Sequence, residues 1–148
     1  MEENKKAVIF DIDNTLVDSS KRFEVCQKEA RNKKEFWQCF LSEKYMSFDL
    51  PNERVIKFLQ KYWSEGTKVI LVSGRIKETQ EKYTYYQLSI FNIPWSEAHF
   101  RSKGDFRKDY EYKSEVIQQL IQKYDILFIV DDSPEVRKVA ESLSIKAI

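Results

Sequence analysis

Three runs of consecutive apolar residues, each closing on polar or acidic side chains, constrain this chain more than any other feature. Ala7 to Phe10 runs into Asp11, Val69 to Val72 runs into Ser73, and Ile126 to Val130 runs into Asp131 and Asp132. Runs rich in Val and Ile, without polar alternation, suit strands buried on both faces, as in a parallel sheet covered by helices. Shorter runs at Ala98 to Phe100 and Ile145 to Ile148 add two further strands and make a sheet of about five.

Helical patterns lie between the runs. Asn52 is read as the N-cap of a stretch that places Val55, Ile56, Leu59, Tyr62 and Trp63 on one face, and Gly66 closes it. Asp109 to Tyr124 repeats the pattern through Tyr112, Val116, Ile117, Leu120 and Ile121, and Pro134 opens another helix carrying Val136, Val139, Ala140 and Leu143. Strands alternating with helices predict a doubly wound, Rossmann-like α/β sheet, because parallel neighbours need crossover connections.

Residues 19–50 break the alternation, with Phe23, Phe36, Trp37, Phe40, Leu41 and Tyr45 among many charged side chains. They are read as a small helical cap inserted after the first strand of a single domain spanning residues 1–148. A chain of 148 residues buries roughly 70% of its unfolded surface, so it needs no covalent staple. Cys26 and Cys39 are therefore expected to be free thiols, and the compartment to be the reducing cytoplasm. The polar Met1 to Lys6 start does not resemble a secretory signal, and no apolar run reaches the roughly 20 residues that span a bilayer. Twenty-five basic and 24 acidic residues leave a net charge of +1, which excludes a strong overall field and leaves anions to be held locally.

In doubly wound sheets ligands collect beyond the carboxyl ends of the strands. That rule selects Asp11 with Asp13, Ser73 with Arg75, and Asp131 with Asp132. Two carboxylates at i and i+2 after a buried strand repel each other, and a divalent cation is the simplest relief. Mg²⁺ takes hard oxygen ligands and needs only one or two carboxylates, such as Asp11 and one acid of the Asp131–Asp132 pair. With a bound phosphate neutralised, a carboxylate oxygen can attack phosphorus. Taken singly, Asp13-Asn14-Thr15 also suits a turn, and Asp131-Asp132-Ser133-Pro134 a helix cap. The joint pattern at three strand ends favours a catalytic site.

The motifs Val8-Ile9-Phe10-Asp11-Ile12-Asp13-Asn14-Thr15-Leu16, Val69-Ile70-Leu71-Val72-Ser73-Gly74-Arg75, Lys113, and Phe128-Ile129-Val130-Asp131-Asp132 occur in that order along the chain. Together they resemble the phosphohydrolases of the haloacid dehalogenase superfamily. The resemblance implies that Asp11 is the nucleophile and a metal ligand, and that Asp13 is general acid and then base, lending its backbone carbonyl to the metal. It implies that Ser73 and Lys113 hold the transferring phosphoryl oxygens, and that Asp132, with Asp131 beside it, completes a Mg²⁺ site.

Arg101-Ser102-Lys103-Gly104-Asp105-Phe106-Arg107-Lys108-Asp109, followed by Lys113, with Arg22 and Arg75, is similar more specifically to the 3′-phosphatase domain of polynucleotide kinase/phosphatase enzymes. That similarity implies substrate contacts from Arg22 and Arg75, an Asp109 that orients Lys113, and a phosphorylated nucleic-acid end as substrate. No glycine precedes Lys-Ser or Lys-Thr, so this chain lacks a kinase phosphate loop. Asn14 stands where the family has glycine, a change asparagine tolerates. Small-molecule or nucleotide phosphatase and protein phosphatase are the alternatives on the same core. Trp37, Tyr85, Tyr86 and Trp95 are read as packing rather than base-stacking groups, and His99 as structural.

Overall fold

The computed structural model describes residues 5–148; residues 1–4, part of the polar start discussed above, lie outside the described residues. In chain order the first half contains β1 (Lys5–Phe10), β2 (Val17–Asp18), α1 (Ser20–Glu29), α2 (Lys33–Phe40), β3 (Leu50–Pro51) and α3 (Glu53–Ser64). The second half contains β4 (Lys68–Ile76), α4 (Lys77–Ile90), β5 (Glu97–Arg101), α5 (Asp109–Ile121), β6 (Tyr124–Val130) and α6 (Pro134–Ser142). Four strands form one sheet in the order β5-β4-β1-β6, and every pairing in it is parallel.

Strand β1 lies inside the sheet, and its side chains divide the core into two layers. Ala7 and Ile9 pack with Tyr112, Val116, Ile117 and Leu120 of α5 and with Val136 and Ala140 of α6. Val8 and Phe10 point the other way, onto Ile56 and Leu59 of α3 and Leu88 of α4. Burial on both faces is why the first run carries no polar residue before Asp11. Truncation of Ile9, which is 2% exposed, to alanine costs about 2–5 kcal/mol.

The connectivity positions the site. From β1 the chain steps outward to β4 and β5 with α3 and α4 on one face, then returns through α5 on the other face to β6, on the far side of β1. The connections leaving β1 and entering β6 therefore diverge, which opens a crevice beyond the carboxyl ends of these two strands. Asp11 follows β1 directly, and Asp131 and Asp132 follow β6.

The doubly wound α/β class is as expected, with differences in detail. The sheet has four strands rather than five: Ile145 to Ile148 contributes only a single bridge, Ile129 to Ala147, too short a pairing to make a strand. Helix α4 was not foreseen, because its buried residues Gln80, Thr84 and Gln87 are polar and Leu88 alone is apolar. Asn52 sits at the start of α3 without a side-chain cap bond; its amide instead donates to Thr15 O at 3.0 Å.

The expectation of free thiols is corrected. Helices α1 and α2 place the Cα atoms of Cys26 and Cys39 5.6 Å apart, and the two form a disulfide. A core of this size makes a staple unnecessary, but it does not keep two thiols at disulfide distance apart. Among the described residues, no helix is long and apolar enough to cross a membrane.

Candidate active site

The end of β1 is tied to the end of β6 by the Asp11 amide, which donates to Val130 O at 2.9 Å. This places the Asp11 carboxylate beside Asp131 and Asp132; each of the three offers an oxygen within 4.8 Å of the others. Lys113 enters from α5, where the residues on either side of it along the apolar stripe anchor the helix to the sheet. Its ammonium donates to Asp11 Oδ1 at 3.0 Å and Asp131 Oδ2 at 2.8 Å, and lies 3.2 Å from Asp109 Oδ2, one helical turn back. Ser133 is the residue that caps α6, accepting from the Val136 amide. The cap therefore leaves Asp132 uncommitted, and Asp131 accepts from the Ser133 amide at 2.9 Å.

Burial pushes the Asp11 carboxyl well above its ordinary range; Lys113 opposes that shift, and the neighbouring Asp131 and Asp13 reinforce it. Asp131 is raised by burial in the same way. Burial alone would depress Lys113, but the carboxylates of Asp11, Asp131 and Asp109 outweigh it and raise its pKa, so the lysine is a cation. One ammonium thus faces four carboxylates, Asp11, Asp109, Asp131 and Asp132. An all-oxygen donor set with excess negative charge fits a hard divalent cation such as Mg²⁺.

Asp13 turns away from this cluster. Asn14 adopts the left-handed region at φ 62°, and the turn hands the Asp13 carboxylate to two arginines. Arg75 grips it with Nε at 3.1 Å and Nη2 at 2.8 Å, and Arg22 approaches to 2.5 Å. Both guanidiniums also meet Asp49, at 3.2 and 3.3 Å. Arg75 Nη1 donates further to Thr84 at 3.0 Å and Gln87 at 2.9 Å, while the Arg22 guanidinium lies over the Phe40 ring at 4.5 Å. Both arginine side chains are 0% exposed, against 21% for Asp13. Burial raises the Asp13 pKa, but the two arginines prevail and hold it at about 2. For Asp49 burial wins over the arginines, and the carboxyl is pushed up to about 6.

Arg22 and Arg75 are thus placed around Asp13 rather than at an open surface. Asp49, Thr84 and Gln87 were missed in the sequence. The available signal was the i, i+4, i+7 spacing of Gln80, Thr84 and Gln87, a polar stripe on one helical face that faces inward.

Ser73 is buried, and its hydroxyl accepts from the Arg75 amide at 3.0 Å. Gly74 next to it is required by space: a Cβ there would lie 2.3 Å from Asp109 Oδ1, so any side chain would displace the carboxylate beside Lys113. Arg101 braces the same turn, donating to Gly74 O at 3.2 Å and Arg107 O at 3.0 Å. His99 pairs with Glu97, and Tyr85 stacks on Trp95, which agrees with structural roles for these groups.

Residues 5–148 match the family model described as the polynucleotide kinase PNKP phosphatase domain. A solved structure titled "Structure of Pnkp1/Rnl/Hen1 complex" includes a chain 27% identical, with a TM-score of 0.78 over 98% of this chain and 45% of that one. A class C acid phosphatase from Bacillus anthracis, solved with tungstate bound, is 20% identical with a TM-score of 0.63, over 97% of this chain and 63% of that one. A haloacid dehalogenase-like hydrolase from Streptococcus pneumoniae aligns with a TM-score of 0.68 at 15% identity, over 97% of this chain and 83% of that one. The chain spans less than half of the chain it matches in that complex. With a family match over nearly its whole length, and with acids and a buried lysine gathered at the switch point of the expected sheet, the chain belongs to the PNKP phosphatase-domain family of the haloacid dehalogenase superfamily.

Proposed function

We propose that this phosphatase domain is a Mg²⁺-dependent phosphomonoesterase that removes a 3′-phosphate from nucleic-acid ends through a phosphorylated Asp11. The observation that carries the reading is Lys113, buried and held between Asp11 and Asp131 within hydrogen-bond distance of both. A cation so placed beside a nucleophilic carboxylate offsets the charge that spreads over a transferring phosphoryl group. Residues 1–148 act as one domain in this reading, with 19–50 as a small cap.

Asp11, Asp131 and Asp132 would hold the metal, together with the Asp13 backbone carbonyl. When bound, Mg²⁺ supplies charge compensation to the phosphoryl oxygens. An Asp11 carboxylate oxygen forms the new bond to phosphorus as the bond from phosphorus to the 3′-oxygen breaks. Asp13, ionised in the free protein because the arginines hold it at about 2, takes up a proton as substrate binds and gives it to that departing oxygen, then takes one from the water that opens the aspartyl-phosphate and releases inorganic phosphate. Ser73 and Lys113 hold phosphoryl oxygens, and Asp109 fixes the lysine. Arg22 and Arg75 work chiefly through Asp13, the partly exposed member of their cluster. The nucleic-acid substrate is supported by the family match and by similarity to a protein solved in an RNA repair complex.

Phosphate release should be measured from DNA and RNA oligonucleotides phosphorylated at the 3′ or 5′ end, and from 5′-mononucleotides and phosphopeptides, with Mg²⁺ and with EDTA. The expected result is Mg²⁺-dependent preference for the 3′-phosphorylated oligonucleotides. Equal or better turnover of a 5′-mononucleotide rejects the substrate assignment, and full activity in EDTA rejects the metal.

A further inference from the structure

Beside the acid and lysine cluster lies a groove of about 840 Å³, within the size range of ligand sites. Asp109 lines it, and the Asp109 carboxylate touches Lys113, which in turn touches Asp11. One wall is α2, through Trp37 and Gln38; the other is the loop from Lys103 to Lys108. Phe106 in that loop is 93% exposed, and Trp37 opposite is 45% exposed. Trp37 packs edge-on with Phe36 and Phe40, as the packing expectation required, yet it also lines the groove.

The charge of the lining is selective. Asp105 is neutralised by Arg107, and Asp109 is committed to Lys113. Lys34, Lys103 and Lys108 line the same groove and form no ion pair among the described residues. Exposed aromatic faces interleaved with uncommitted cations are complementary to unpaired bases on a phosphodiester backbone.

We propose that this groove seats the terminal unpaired nucleotides of a single-stranded nucleic acid, with Phe106 and Trp37 stacking on bases and Lys34, Lys103 and Lys108 facing the backbone. The proposal rests on the nucleic-acid reading above and adds to it the side chains that recognise the polymer. It predicts that affinity comes from the bases next to the phosphate as well as from the phosphate, with little preference among base types.

The test is steady-state kinetics on four substrates: a 3′-phosphorylated single-stranded oligonucleotide, the same strand lacking its two terminal bases, p-nitrophenyl phosphate and a phosphopeptide. For the unaltered protein, removal of the bases should raise KM roughly tenfold. Phe106→Ala, at a site too exposed to disturb the core, should raise KM for the intact strand several-fold and narrow the difference between intact and base-free strands, Trp37 retaining the rest. Phe106→Trp should restore that difference. A KM indifferent to the bases, or unchanged in Phe106→Ala, overturns the groove assignment while leaving the 3′-phosphatase reading intact. Turnover of p-nitrophenyl phosphate with none of any 3′-phosphorylated strand overturns both. A Phe106→Ala defect confined to a phosphopeptide reassigns the groove to protein.

Discussion

Asp11 and Asp13 stand two residues apart but belong to oppositely built clusters. Around Asp13, two arginines face two carboxylates, the charges balance, and Thr84 and Gln87 take up remaining donors. Around Asp11, one lysine faces four carboxylates, and one of these, Asp132, is exposed. A buried pair is tolerated when each charge is matched and hydrogen-bonded. The arginine cluster balances its charges within the protein alone, although Arg22 Nε and Asp49 Oδ1, an ion pair at 3.2 Å, make no hydrogen bond, whereas the aspartate cluster balances only with a further cation. The first is a clamp that orients one side chain, and the second is a site with affinity left over for metal.

Three substitutions can break or sharpen this contrast. Asp11→Asn removes the proposed nucleophile and one crowded carboxylate. Phosphate release should fall by roughly 10⁴-fold or more, with circular dichroism and melting temperature close to those of the parent; parental rates would overturn the mechanism. Arg22→Ala leaves Asp13 and Asp49 sharing one guanidinium and should cost about 3–5 kcal/mol in urea unfolding, with slower turnover. Unchanged stability and kinetics would mean that the clamp is idle. Lys113→Met should destabilise to a comparable degree, and millimolar Mg²⁺ should recover more stability in that variant than in Arg22→Ala. Equal recovery would erase the distinction between the clusters.

A smaller effect lies in the helical pair α1 and α2. Cys39→Ser should lower the stability of the oxidised protein by roughly 3 kcal/mol, the cost of freeing a loop of this length. No difference from the parent under oxidising conditions would show that the bond constrains nothing.

Asp49 gives the smallest effect and a definite sign. Its carboxyl is raised from the ordinary 3.8 to about 6, so the folded state binds its proton more tightly than the unfolded state. The associated stability is full below pH about 4 and is lost as the pH rises through about 6, by no more than about 3 kcal/mol. Asp13, held at about 2, has the opposite sign and loses its contribution only in strong acid. Urea unfolding of the parent and Asp49→Asn from pH 4 to 7 checks this: the parent's advantage should shrink across that range. A constant difference would place Asp49 at its ordinary pKa.

The legible parts of the molecule are those in which sequence order and spatial order coincide. Fully apolar strands ending in polar residues identified the sheet and the edge where Asp11, Ser73, Asp131 and Asp132 stand. The similarity to the 3′-phosphatase domains implied that Asp109 pairs with Lys113, and the two lie 3.2 Å apart. Helix α4 was not legible, because its inward face is polar and bonds to Arg75 instead of joining an apolar stripe. Asp49 was hidden for a related reason: an isolated acid after a charged segment reads as solvated until two distant arginines enclose it.

By itself the sequence determined the layered α/β core, the chain order of the acidic and basic motifs, and the family they represent, because burial periodicity and short motifs are local properties. Only the tertiary structure decided that Arg22 and Arg75 close around Asp13 and Asp49, that Cys26 meets Cys39, and that Phe106 and Trp37 border one groove. Each of these depends on which distant segments pack together, and charge and thiol chemistry act through space rather than along the chain.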